Sequence, residues 1–335
     1  MESLVSFKNG QLELRGILHV PNCTQDKVGV ILLCPGYKHR VGQRRLYVQI
    51  ARRLRDAGFY VLRYDFHGLG ESDGEIRRCL FGDFWDFVQT GGFVSDTRSA
   101  VDFFRDVAKM EKLILMGLCG GAITGIIEAA KDSRVDGLVL LNVPVMAQHA
   151  TRDWFIDRMP PGLADSLFSA YVKRLLSVQS WLRFLTFKTE YRVLWKSITS
   201  KFSRRYVRSS RSGPENEECD DAVNPHFVRS FRSYCSSKRP LLFIFSGNDK
   251  QKWAFEAEFQ QRYLHPGNPY EDFYSIFVID RANHSFTLQE WRDALLEKTV
   301  TWLQDHLNGG TGTEHGQTEA SRNGEMQDEE KIVTR

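Results

Sequence analysis

"KLILMGLCGGAITGIIEAAK", residues 112–131, decides the fold. Its first part is a short apolar run closed by glycine, and its second part spaces apolar residues as a helix does. A strand therefore turns sharply into a helix at Gly117-Leu118-Cys119-Gly120-Gly121. A reactive residue flanked by glycines at such a turn is the layout of a nucleophile elbow, which lifts its central side chain above a sheet and usually carries serine. Small neighbours let the backbone make the turn without a clash. Here the central residue is Cys119, and the free N–H groups at the start of the helix favour negative charge on its sulfur. The competing reading is a small buried cysteine in a tight glycine turn.

On either side of the elbow the chain alternates strands and helices. "VGVILLCPG" reads as a strand ending at Pro and Gly, "LYVQIARRLRDAGF" as a helix closed by Gly58, and "YVLRYDFHG" as the next strand. "SDTRSAVDFFRDVA" is predicted helical and "VDGLVLLNVPV" a strand after the elbow helix. Continuous apolar strands separated by helices imply a mostly parallel sheet covered on both faces, an α/β architecture. The rhythm breaks near residue 148. From there to residue 238 the chain is rich in Trp, Phe, Arg and Lys at helical spacing, which predicts an inserted helical cap. "RPLLFIFSGNDK" and "DFYSIFVIDRANHSF" restore the strand pattern, and "LQEWRDALLEKTVTWLQDHL" closes as an amphipathic helix. The expected organisation is a core over 1–147 and 239–307, a basic cap over 148–238 and a disordered tail over 308–335.

A nucleophile on this architecture needs an acid and a base, in that chain order, on loops after later strands. Asp249 follows "LLFIFSGN" and His284 follows "SIFVIDRAN", each just past the carboxyl end of a strand and on the same rim as the elbow. His284 is the expected general base and Asp249 the group that holds its tautomer. Taken singly, an Asp in a turn and a His after a strand are ordinary; the three in order favour chemistry. Acyl transfer also requires two donors for the developing oxyanion. The N–H of Gly120 is one, and "CPGYKHR" supplies the other from Tyr37, with Gly36 allowing the close turn. Cys34 is read as a buried apolar residue. "YDFHGLGESDG" places Asp65, Gly68, Gly70 and Ser72 in a loop that shapes the site, with His67 read as solvated or as a substrate contact.

Composition bounds the function. With 335 residues, 42% of them hydrophobic, the chain has ample material for a large core, and a net charge of +3 does not by itself suggest nucleic acid. Cys23, Cys34, Cys79, Cys119, Cys219 and Cys235 are scattered without a CxxC pair, and the first residues lack a charged and an apolar signal region, so a reducing cytoplasm is expected. The longest apolar runs are about half of the roughly 20 residues a spanning helix needs. No metal or organic cofactor is called for. The strong charge signal lies between Lys173 and Arg211, where eleven basic residues face one acid, Glu190. It fits a solvated face, an acidic carrier or carrier-bound substrate such as a coenzyme or acyl carrier protein, or an anionic membrane surface.

"RVGQRRLYVQIARRLRDAGFYVLRYDFHGLGESDG", "MGLCGGA", "RVDGLVLLN" and "NHSFTLQEWRDALLEKTVTWL" together resemble the α/β-hydrolases, in particular the exosortase A system-associated hydrolases with their cysteine elbow. The resemblance covers roughly residues 5–148 and 238–306. It implies a cytoplasmic hydrolase-like enzyme with Cys119, Asp249 and His284 at the catalytic positions, in a group tied by genomic setting to surface polysaccharide systems. Ester or thioester hydrolysis through a Cys-His-Asp triad is the expected activity. Acyl transfer from a thioester donor is the alternative, since exchange between thioesters is nearly balanced in energy. An inactive hydrolase-like scaffold that binds an acidic partner through the basic cap is a third reading.

Overall fold

The computed structural model describes residues 1–22, 27–76, 81–147 and 222–307. The predicted basic segment from Lys173 to Arg211, most of the cap, and the tail lie outside the described residues, as do Cys23, Cys79 and Cys219.

The apolar runs become the middle of one eight-stranded sheet, ordered β1-β2-β4-β3-β5-β6-β7-β8. β3 (Val28–Leu33), β5 (Lys112–Leu118), β6 (Gly137–Leu141) and β7 (Leu241–Ser246) are buried almost throughout. Unalternating burial of this kind arises when both faces are covered by helices. β4 (Tyr60–Tyr64) runs parallel to β3, and β8 (Tyr274–Ile279) parallel to β7. β1 (Glu2–Asn9) and β2 (Leu12–His19) form an antiparallel hairpin that pairs with β4 and was not among the elements expected from the sequence. Its signal is Asn9-Gly10, with Gly10 at φ +59, between residues of alternating burial.

Helices cover each face. α1 (Leu46–Asp56) and the final helix α7 (Gln289–Leu307) close one core against the sheet. α2 (Phe81–Gln89), α3 (Val94–Asp102), the elbow helix α4 (Gly120–Ala129) and α5 (Pro225–Ser236) close the other. α5 falls within the sequence predicted as the end of the cap, and it buries Phe227, Phe231 and Tyr234 in the core. Asn224 caps it by accepting a hydrogen bond from the His226 N–H at 2.9 Å, with Pro225 in the first turn. Residues on the two sides of the undescribed stretch meet: Met146 bridges Val223, and the Asn224 N–H donates to the Val145 carbonyl at 2.7 Å.

The strand order reverses at β3. From β3 the chain steps to β4 on one side, then returns to β5 on the other, so the loops after β3 and β5 diverge from adjacent strand ends. Such a reversal opens a crevice beyond the carboxyl ends of the strands.

Candidate active site

Cys119 stands at that crevice with φ +56 and ψ −116, between β5 and α4. A non-glycine residue with positive φ stores strain, and the packing around the turn shows what enforces it. A Cβ on Gly117 would come within 2.4 Å of the Gly121 carbonyl carbon, and one on Gly121 within 2.2 Å of the Leu33 carbonyl oxygen. The helix start is thereby pressed onto the end of β3. Buried Tyr47 on α1 ties the same strand ends together. Its hydroxyl donates to the Leu33 carbonyl at 2.6 Å and accepts from the Leu118 N–H at 3.0 Å, one residue before the cysteine.

The loop after β3 lies over the elbow. A Cβ on Gly120 would sit 3.1 Å from both Cα and N of Gly36, and 3.0 Å from Val88 of α2. Gly36 has φ +66 and its N–H turns back to the Cys34 carbonyl at 2.8 Å, which leaves Tyr37 at the rim and exposed. The far end of this loop is fastened to Asp65, a fully buried carboxylate at the end of β4. Asp65 accepts from the Arg40 N–H at 2.5 Å, from the Arg40 guanidinium, and from the Glu71 N–H at 3.0 Å. Gly70, at φ +57, is required there: a Cβ would fall 2.1 Å from Asp65 Oδ2. The loops after β3 and β4 are thus one unit built on a single carboxylate. Cys34 is buried below it, its thiol bonded to the Tyr64 carbonyl, and burial raises its pKa well above the usual thiol range.

His284 and Asp249 meet on the other side of the elbow. Asp249 is buried at the start of the short helix α6 (Lys250–Ala254) and uses its two carboxylate oxygens differently. Oδ1 accepts from the Gln251 N–H at 3.1 Å, while Oδ2 accepts from His284 Nδ1 at 2.5 Å. With Nδ1 committed to the carboxylate, Nε2 is the nitrogen left to face Cys119, whose influence favours the charged imidazole. Burial opposes charging the imidazole, but the hydrogen bond to Asp249 and the nearness of Cys119 outweigh it, raising the His284 pKa to about 10.

His67 is half-buried and paired rather than solvated. Its Nδ1 bonds buried Asp96 at 2.9 Å and its ring packs against Phe87 and Phe93, so it fastens the loop after β4 to α3. Two further organisers carry no distinguishing mark in the sequence: Arg40 and Tyr47. Among the described residues no three His, Cys, Asp or Glu side chains converge as a metal site, and no helix is long and apolar enough to cross a membrane.

A mostly parallel sheet with a strained nucleophile-type turn after its fifth strand and an Asp-His pair after its last two defines an α/β-hydrolase. Residues 25–234 match the model of the hydrolase family described as serine aminopeptidase, S33, and the chain belongs to that family. Solved structures agree on the fold. A proline iminopeptidase from Mycobacterium smegmatis superposes with a TM-score of 0.57 at 16% identity, over 91% of this chain and 98% of that one. An esterase from Pyrococcus furiosus gives 0.54 at 16% identity, over 91% of each chain. A Butyrivibrio proteoclasticus protein solved with ferulic acid gives 0.52 at 14% identity, over 91% of this chain and 99% of that one. No curated protein sequence matches it. The family description names a serine enzyme, whereas position 119 of this chain is cysteine.

Proposed function

We propose that this hydrolase cleaves esters or thioesters through a Cys119-His284-Asp249 triad and a thioester acyl-enzyme. The observation that supports the reading most directly is the hydrogen bond from His284 Nδ1 to buried Asp249, which leaves Nε2 free to serve a cysteine held at φ +56. In the first half-reaction Cys119 Sγ attacks the substrate carbonyl carbon with its proton already resting on His284 Nε2, as the raised pKa of the imidazole favours. The carbonyl electron pair moves onto oxygen, which the N–H groups of Gly120 and Tyr37 receive. Collapse of this intermediate breaks the bond to the leaving oxygen or sulfur, which takes the proton from His284 and departs. Water, activated by the neutral imidazole, then attacks the acyl-enzyme, and the second collapse returns the thiol and releases the carboxylic acid. Asp249 keeps the proton of His284 on Nδ1 and stabilises the imidazolium formed between the steps.

A thiol acceptor in place of water would make the same site an acyltransferase. The basic excess between Lys173 and Arg211, outside the described residues, favours a substrate on an anionic carrier such as coenzyme A. The likeness of the cysteine elbow to the exosortase A system-associated hydrolases is consistent with this reading.

Intact-mass spectrometry of wild type and Cys119→Ala after brief exposure to activated esters and acyl-coenzyme A thioesters tests the proposal. An acyl adduct on wild type alone is expected, with loss of adduct and turnover in the variant. Equal turnover by Cys119→Ala rejects the triad, and the best-trapped acyl donor distinguishes neutral esters from anionic thioesters.

A further inference from the structure

His284 lies at the margin of the sheet. β8 is the last strand of the sheet, paired on one side by β7, and the histidine belongs to the loop beyond it. Local bonds shape this loop: Asn283 Oδ1 accepts from the Ser285 and Thr287 N–H groups at 3.3 and 3.2 Å. They do not fix where the loop sits relative to Cys119, which is three strands away on β5. The loop is tied to its surroundings by the Asn248 N–H, which donates to the Ala282 carbonyl at 2.9 Å, by Ser285 Oγ, which donates to Gln43 Oε1 at 3.0 Å, and, at the histidine itself, from β6. Asn142, fully buried just past the end of β6 at φ +42, donates from Nδ2 to the His284 carbonyl at 3.0 Å and to Ser246 Oγ at 2.8 Å. Its Oδ1 accepts from the Ser246 N–H at 2.7 Å, and Ser246 Oγ in turn donates to the Asn283 carbonyl at 2.9 Å.

Both amide hydrogens and the amide oxygen are therefore used, and two consecutive carbonyls of the histidine loop are held by one Asn-Ser unit. The backbone of Asn142 is itself fixed, because its N–H donates to the Ile244 carbonyl at 2.9 Å while the Cys119 N–H donates to the Leu141 carbonyl, also at 2.9 Å. The nucleophile and the clamp on the base thus hang from adjacent residues of one strand end.

We infer that Asn142 is the positioning residue for His284: acting through Ser246 and the His284 carbonyl, it sets the distance of the imidazole from Cys119. The inference rests on the triad reading for its catalytic consequence, but the placement of His284 against Asp249 is measurable without turnover. A buried amide with all its hydrogen bonds satisfied is costly to disturb and rigidifies what it holds, and displacement of a reacting group by about 1 Å costs on the order of 10²-fold in rate.

The test uses the full chain with p-nitrophenyl butyrate and butyryl-coenzyme A as probes, and proton NMR of the downfield His284 Nδ1–H, assigned by its absence in His284→Gln. In Asn142→Ala, kcat is expected to fall about 10²-fold with KM changed less than about twofold, and the downfield proton to broaden or vanish. Cys119→Ala retains that proton. An Asn142→Ala protein that keeps the proton and stays within about twofold of wild-type kcat overturns the inference, as does a kcat loss that merely follows the folded fraction. Should Asn142→Ala not fold, Ser246→Ala, which removes the bond to the Asn283 carbonyl and the acceptor of one Asn142 amide hydrogen but leaves the bond to the His284 carbonyl, carries the test with the same criteria and a smaller, several-fold loss. Failure of the triad reading has a different signature: neither probe is turned over by wild type, or both are turned over equally by Cys119→Ala, while the proton still reports whether Asn142 holds His284.

Discussion

The two halves of the candidate site are held by different forces. Cys119 is fixed sterically: it follows a central strand, glycines press its helix against β3, and the backbone has no room to relax. Asp249 and His284 follow the last two strands and are held by side-chain hydrogen bonds that cross the sheet. Excluded volume is local and insensitive to pH. A hydrogen-bonded histidine is neither, so the Cys119 sulfur is placed by packing while His284 is tuned by polar partners.

The largest expected effect falls on the polar half. Asp249→Asn is predicted to lower turnover on the order of 10²–10⁴-fold at neutral pH, because the amide no longer fixes the tautomer or stabilises imidazolium. The pH profile carries the sign. Asp249 raises the His284 pKa, so the imidazolium that protonates the leaving group persists in wild type until pH approaches about 10. In Asp249→Asn that alkaline limb should move to lower pH; a limb that stays in place breaks the comparison.

On the steric half the expected loss is in stability. Gly121→Ala forces a Cβ to within 2.2 Å of the Leu33 oxygen, where backbone must yield. A destabilisation of about 3 kcal/mol is expected in urea unfolding, with no change in the position of the alkaline limb in whatever fraction stays folded. A well-folded Gly121→Ala enzyme would show that the elbow is not sterically locked. Tyr47→Phe is the intermediate case, a polar support beneath the packed elbow. It leaves the buried Leu118 N–H without its acceptor and should cost about 1–3 kcal/mol, measured the same way.

The smallest effect belongs to His67, whose hydrogen bond to Asp96 raises its pKa. A raised histidine contributes stability that is complete below its unfolded value of about 6.5 and lost as pH rises through the folded value. The stability gap between wild type and His67→Gln should therefore shrink from pH 5.5 to pH 8.5, and an unchanged gap would show that the pair is not charge-assisted.

The elements legible in the sequence were those specified by near neighbours. Strands β3 to β8, apolar at every position or nearly so, and the elbow, with glycines two residues before Cys119 and immediately after it, were readable because periodicity and steric demand act over a few residues. The hairpin of β1 and β2 escaped although Asn9-Gly10 marks it, since its strands alternate weakly on an exposed edge. α5 reads as part of the cap in the sequence because its basic and aromatic residues continue that composition, and only packing shows Phe227 and Phe231 inside the core.

The sequence by itself determined the α/β order, the glycine-framed Cys119, and an acid and a base that follow strands in the order nucleophile, acid, base. Only the tertiary structure decided that Asp249 and His284 meet, that Arg40 and Gly70 converge on Asp65, and that Asn142 reaches a carbonyl 142 residues away along the chain. The division has a physical cause. Steric rules bind residues a few positions apart and leave a pattern in composition, whereas a buried hydrogen bond needs only one donor and one acceptor brought together, and nothing in the chain between them records the meeting.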